Sequence, residues 1–400
     1  MSMARSGWPA AALVLLCGVF AASQTGKLPP AIPTLRLAFD ASLIQMGWIA
    51  SVINLVAACT GLAAGLIADR VGRHALLKFG LAVMGLGAAL GLAADGVGML
   101  FASRVVEGLG FVSIVIAAPV LVRAAVPARH QRLALGIWSA YTSIGMSLML
   151  LAAPWSLPAL GWQGGWWLGA VGAVLLLALV WRRFPGRGAR DTAVAGVGAA
   201  PLLRGLRNRT PWCLAASFGI YTMLWMALMV WIPTFLLEQG GLGLMTTGGL
   251  VALMIAVNAP GNIVGGWLAQ RRVPLLPLIL VPIVVVGTCG SIIYALAPPP
   301  LVLVTLGATF SFFGGILPGA IYAWLPAVAA RHDNLATVNG LVVQASNIGM
   351  LAGPPLAAAL VSAGGWSALA PLFPAGALAC AACGWVGSRD AAFARTAEAA

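Results

Sequence analysis

Lys27, Arg104 and Glu107 are ionisable residues set inside stretches of sequence that are otherwise apolar. A charge within a membrane core is costly. Such a group normally faces a cavity or a partner, and it marks a place where a solute or a proton could be handled. Arg104 and Glu107 stand three residues apart, which brings them onto one face of a helix. Two readings follow: the pair neutralises itself and serves packing alone, or Arg104 borders a solute path with Glu107 as its partner or as a proton-coupling site. Lys27 also has two readings. It snorkels to the outer surface if its helix ends at Gly26, or it lies in a solute cavity if the helix runs on. Gln24 at i−3 and Ser23 at i−4 share its side of that helix. Two cations and one carboxylate leave a positive excess, a potential that attracts a small anion.

Other polar side chains lie in the apolar stretches. Tyr141 and Thr142 are adjacent; Tyr221 and Trp225, and Asn258 and Asn262, are each one helical turn apart; Asn339, Gln344 and Asn347 share one stretch. Tyr141, Tyr221, Trp225 and Asn347 join Lys27, Gln24 and Arg104 as the candidate substrate-binding set. Polar side chains also hold membrane helices to one another. That structural role stands beside solute contact for each of them.

The elements that must position these residues are membrane helices. The chain has 400 residues, 61% hydrophobic and 8% charged, with a mean hydropathy of +0.99. Soluble domains carry about 25% charged residues. The apolar residues come in runs long enough to cross a bilayer, which takes about 20 residues. The runs predict twelve helices, at 8–35, 43–67, 75–94, 98–123, 132–154, 164–184, 211–237, 245–270, 274–296, 300–325, 334–362 and 366–387. The fold class is therefore an all-α membrane protein. Trp8, Trp48, Trp166, Trp167, Trp181, Trp212, Trp366 and Trp385 fall near predicted helix ends, where aromatic belts form. Met1–Gln24 has the look of a signal peptide, but the internal repeat makes it part of the first membrane helix.

The net charge of +13 is a matter of topology. Apart from Lys27, Arg36 and Arg104, the Lys and Arg residues fall at the termini and in alternate breaks between runs. That is the positive-inside pattern, which places both termini and the central segment in the cytoplasm and argues against a nucleic-acid partner. The six cysteines lie in apolar runs, and the Cys380/Cys383 pair has no second pair or nearby His, so neither a metal nor a cofactor is expected. His74, His130 and His332 fall in predicted cytoplasmic loops, and no nucleophile–base pair stands in the spans, which argues against an enzyme.

The two halves repeat at offsets of 200 to 204. Ile32-Pro33-Thr34-Leu35 matches Ile232-Pro233-Thr234-Phe235, Gly65–Arg70 matches Gly266–Arg271, Arg129-His130 matches Arg331-His332, and Ile144-Gly145-Met146 matches Ile348-Gly349-Met350. Parallel six-helix repeats are a transporter architecture. The expected organisation is a six-helix bundle over 1–184, a cytoplasmic linker over 185–210 rich in Gly, Ala and Arg, and a second bundle over 211–400. Small-x-x-x-small spacings such as Gly61/Gly65 and Gly349/Gly353 let such helices approach closely.

Gly65-Leu66-Ile67-Ala68-Asp69-Arg70-Val71-Gly72-Arg73-His74 resembles the signature loop of the major facilitator superfamily, departing from it at His74. Arg104-Val105-Val106-Glu107-Gly108-Leu109-Gly110 is similar to a pattern of that family on its fourth helix. Gly26–Pro30, Gly108–Phe111 and Trp138–Tyr141 look like the branch of cyanate and nitroimidazole porters. The resemblance implies a secondary active transporter, a symporter or uniporter, that moves a small anionic or polar solute by alternating access. Gly65, Asp69, Arg70, Gly72 and Arg73 would then gate the cytoplasmic side, although the second-half copy of Asp69 is Gln270. Protons, the lipid bilayer and a monomeric state complete the expected partners, and a bacterial inner membrane the expected location. The competing reading is a drug/proton antiporter. The antiporter signature of the fifth helix is missing at Ser143–Ala152, and a partial version, Gly349-x-x-x-Gly353-Pro354, stands on the eleventh. A receptor or sensor of the same fold is the alternative from another class.

Overall fold

A computed structural model describes residues 7–59, 72–127, 130, 134, 137–138, 140–185, 209–328 and 335–389. Gly65, Asp69 and Arg70 of the expected gate, the Gly61/Gly65 spacing, Arg129, His332 and residues 186–208 of the expected linker lie outside the described residues. Among the described residues every regular element is a helix. They are α1 (Trp8–Gly26), α2 (Leu28–Phe39), α3 (Leu43–Ser51), α4 (Arg73–Leu92), α5 (Val97–Ala125), α6 (Tyr141–Leu160), α7 (Gly164–Arg183), α8 (Arg209–Gln239), α9 (Leu244–Ala256), α10 (Asn258–Gln270), α11 (Leu275–Leu296), α12 (Pro300–Val328), α13 (Leu335–Gly364) and α14 (Leu372–Ser388).

Ten helical stretches are long and apolar enough to cross a membrane, and Leu43–Cys59 is a shorter apolar helix. One of the ten, Tyr141–Arg183, holds two 20-residue helices, α6 and α7, joined by a short turn at Gly161–Gln163. A 20-residue helix is about 30 Å long, enough to span the hydrocarbon core. With that division there are eleven, and the shorter Leu43–Cys59 makes the count among the described residues consistent with the expected twelve. Two spans are broken by proline chemistry. The first divides into α1 and α2 at Lys27, where Pro29 and Pro30 open the second piece. The eighth divides into α9 and α10 at Val257, three residues before Pro260. Proline has no N–H to give to the carbonyl four residues back, so each break leaves carbonyls that must find other donors. The fifth span runs to Leu160, beyond the expected end at residue 154, because Pro154 and Pro158 are carried inside it.

The helices fall into two compact units. One is built on α1–α7 with the first part of α9, the other on α8, the end of α9 and α10–α14. Within the first, α1 packs on α5 and α6, and α4 on α5 and α7. Within the second, α8 packs on α12 and α13, and α11 on α12 and α14. The pairings correspond span for span, so the weak sequence repeat is a repeat of helix pairing. Close approaches depend on glycine in both units. A Cβ added to Gly26 would lie 2.9 Å from the Met146 backbone, and one added to Gly219 would lie 2.8 Å from the Ala345 carbonyl. Gly349 and Gly353 press on the α8 backbone in the same way.

Candidate functional site

The break at Lys27 places a flexible cation beside a turn of helix whose carbonyls are short of donors. Pro29 and Pro30 cannot donate to Thr25 and Gly26. Arg104, on α5, reaches this turn: its Nη1 donates to the Gln24 carbonyl at 2.8 Å and to Glu107 Oε2 at 2.6 Å. Its Nε donates to the Ile49 carbonyl on α3 at 3.2 Å. Glu107 uses its other oxygen, Oε1, to accept from Lys27 Nζ. Lys27 Nζ also donates to Gln24 Oε1 at 3.2 Å and sits 4.5 Å from the centre of the Trp166 ring.

This cluster is closed to solvent. Lys27 is 2% exposed, and Gln24, Arg104 and Glu107 are 0% exposed. Lys27 therefore does not snorkel; it turns inward to a carboxylate. Glu107 is shared between two cations, so one positive charge is left over among these side chains. Arg104 Nη2 is buried and has no hydrogen-bond partner among the described residues. A buried charge without a complete set of partners is expensive, so this arrangement is one that an anion would relieve.

Neighbouring helices are cut away to admit the cluster. A Cβ on Gly165 would lie 2.9 Å from Lys27 Cβ, and one on Gly169 would lie 2.5 Å from Gln24 Oε1. On α4, a Cβ at Gly87 would lie 2.6 Å from Glu107 Cγ. Trp166 is fully buried; its Nε1 donates to Ser103 Oγ at 3.4 Å, and Ser103 Oγ donates to the Gly87 carbonyl at 2.7 Å. This corrects the belt assignment of Trp166, which faces a charge inside the bundle. Trp167, its neighbour, is exposed as a belt residue should be. Trp166, Ser103, Gly87, Gly165 and Gly169 were not among the expected site residues. The four-residue spacing of Gly165 and Gly169 was the one signal in the sequence that pointed to them.

The remaining candidates are placed as follows. Tyr141 stacks on Trp138 at 4.4 Å in the first unit. Gly72, at φ 88, caps the start of α4, and Arg73 is its first residue. In the second unit Tyr221 Oη accepts from Asn258 Nδ2 at 3.2 Å, and the same amide donates to the Ser311 carbonyl at 2.9 Å. Asn262 Nδ2 donates to Asn258 Oδ1 at 2.9 Å. Trp225, one turn from Tyr221, is buried, and its Nε1 has no partner among the described residues. Asn347 spends its amide on the Val343 carbonyl of its own helix at 2.8 Å. The structure thus gathers Gln24, Lys27, Arg104 and Glu107 into one cluster in the first unit, and joins Tyr221 to Asn258 in the second.

Broken helices, a repeated pairing of spans and charges held inside a bundle are the marks of a polytopic membrane carrier. The chain belongs to the Major Facilitator Superfamily, whose family model matches residues 14–312, and it is a transporter of that fold. Among its relatives, the putative niacin/nicotinamide transporter NiaP of Bacillus subtilis (strain 168) is 24% identical over 86% of this chain and 86% of its own. The 3-(3-hydroxy-phenyl)propionate transporter of Escherichia coli (strain K12) is 27% identical over 82% of this chain and 80% of its own. The cyanate transport protein CynX of Escherichia coli (strain K12) is 25% identical over 80% of this chain and 83% of its own, which agrees with the resemblance to the cyanate porters. A crystal structure of a bacterial homolog of the human lysosomal transporter Spinster, inward-facing and unoccupied, has the same fold. Its TM-score is 0.75 at 16% identity, over all of this chain and 98% of that one.

Proposed function

We propose that this transporter moves a small monovalent anion by alternating access, with Lys27 and Arg104 supplying the attractive charge and Glu107 acting as the exchangeable counter-ion and proton-coupling site. The observation that carries this reading is the excess of one positive charge in a closed cluster together with the unpartnered Arg104 Nη2. A solute carboxylate entering the cluster would satisfy that donor and compete with Glu107 for Lys27. The relatives add weight, since two of them are transporters of anions, hydroxyphenylpropionate and cyanate. Gln24, Tyr141, Tyr221, Trp225 and Asn347 are proposed to complete solute recognition. Gly65, Asp69, Arg70, Gly72 and Arg73 are proposed to govern the cytoplasmic gate.

The test is thermal unfolding of the detergent-purified protein with niacin, 3-(3-hydroxyphenyl)propionate, cyanate and a set of cationic drugs. A ligand that binds the folded state raises the Tm by mass action. We expect stabilisation by an anion, with Lys27→Ala weakening it about 10- to 100-fold, as for loss of a charge-assisted hydrogen bond. Stabilisation by cationic drugs alone, unchanged in Lys27→Ala, would replace this reading with drug efflux. Binding without movement across a vesicle membrane would make the protein a receptor.

A further inference from the structure

We infer that Trp166 is a positioning residue for Lys27, holding its ammonium group where Glu107 and the anion proposed above can share it. The inference rests on that reading for its transport consequence and on geometry for the rest. Lysine has four rotatable carbons and a compact charge, so an amine at a helix break has many places to go. Glu107 and Gln24 fix it by hydrogen bonds. The Trp166 indole face meets the same ammonium group, 4.5 Å from the ring centre. A ring face stabilises a desolvated cation through its quadrupole and takes no proton from it. It can therefore hold Lys27 while leaving the N–H donors free to change partners.

The ring is itself fixed on three sides. Its Nε1 donates to Ser103, one residue before Arg104 on α5. Trp162 meets it edge-on with ring centres 5.5 Å apart. It fills the notch at Gly91, where a Cβ would strike the indole and would lie 2.7 Å from Ser103 Oγ. A tryptophan used only as bulk would not need its N–H tied to the helix that carries the cluster's other two charges. The adjacent Gly165 lets α7 come close enough for the ring to reach Lys27 at all.

The experiment has two arms. In proteoliposomes, initial rates of niacin, 3-(3-hydroxyphenyl)propionate and cyanate uptake are measured for wild type, Trp166→Phe and Trp166→Leu. Phenylalanine keeps a ring face and leucine keeps only apolar bulk. We expect Trp166→Leu to raise KM about tenfold with maximal rate little changed, and Trp166→Phe to restore most of the affinity. Equal KM values for the two variants would overturn the inference. In the second arm, which needs no solute, the Tm loss caused by Trp166→Leu is compared in wild type and in a Lys27→Met background. A smaller loss in that background is expected, since the cation held by the ring is gone. Equal losses would overturn the inference whatever transport does. Coupling between the two residues with none of the three anions carried would leave Trp166 positioning Lys27 and reject the anion reading instead.

Discussion

Glu107 is the residue on which two buried cations depend, because Lys27 and Arg104 each donate to a different one of its oxygens. Glu107→Gln keeps the shape and removes the charge, so two cations would face each other without a carboxylate. Breaking a buried pair in this way costs about 3–5 kcal/mol, and a fall in Tm of the purified protein would register it. The same substitution should flatten the pH profile of uptake; an unchanged profile would remove Glu107 as the proton site. The types and spacing of Arg104 and Glu107 made their contact legible in the sequence. Lys27 was not legible to the same degree, since the run around it is compatible with a helix that stops at Gly26 or one that continues. Its inward turn depends on Glu107, which is eighty residues away in sequence. Trp166 was missed because a tryptophan near a helix end has the same local pattern whether it faces lipid or a buried amine.

At the scale of the helix, the apolar runs gave the spans to within a few residues, since length and hydropathy set them. The breaks at Lys27 and Val257 could not be placed from the runs, because an apolar stretch reads continuously through a proline that neighbouring helices can satisfy. Helix α7 shows what the break requires of its surroundings. Its Gly165 and Gly169 form a slot that Lys27 and Gln24 occupy. Gly169→Val would place carbon where Gln24 Oε1 now lies. We expect it to cost about 1–3 kcal/mol by overpacking and to lower anion affinity along with Tm. Gly172→Val is the control on the same helix: its Cβ would meet the Phe20 ring, at 2.7 Å, so it crowds the bundle away from the charges. A variant at Gly169 that lost stability but bound anions as wild type does would separate the slot from recognition.

For the whole chain, the repeat was visible as four short matches, and the structure turns it into corresponding helix pairings in two units. The repeat is uneven in chemistry. The first unit buries Lys27, Arg104 and Glu107, whereas the matching span of the second, α8, runs unbroken from Arg209 to Gln239 and buries Tyr221 and Trp225. The helix pairing is repeated, and among the described residues the Lys27–Arg104–Glu107 cluster stands in the first unit. The distribution of Lys and Arg sets a further expectation: both termini face the cytoplasm. A reporter active only in the periplasm, fused at the C-terminus, should be silent. An active fusion would reverse the orientation and with it the side on which Arg73 and Gly72 stand.

The single uncompensated positive charge in the Lys27–Arg104–Glu107 cluster has an electrical meaning. One elementary charge moved through the full membrane potential is worth about 2.3 kcal/mol per 100 mV. An empty carrier that shifted this charge across even part of the field would have its resting conformation set by voltage. A carrier loaded with a monovalent anion while Glu107 stays ionised would be neutral at the same point and would reorient without regard to the potential; a proton carried on Glu107 with the anion would keep the charge at one. An inside-negative potential would then oppose the outward return of the empty protein during uptake and favour its inward return during export.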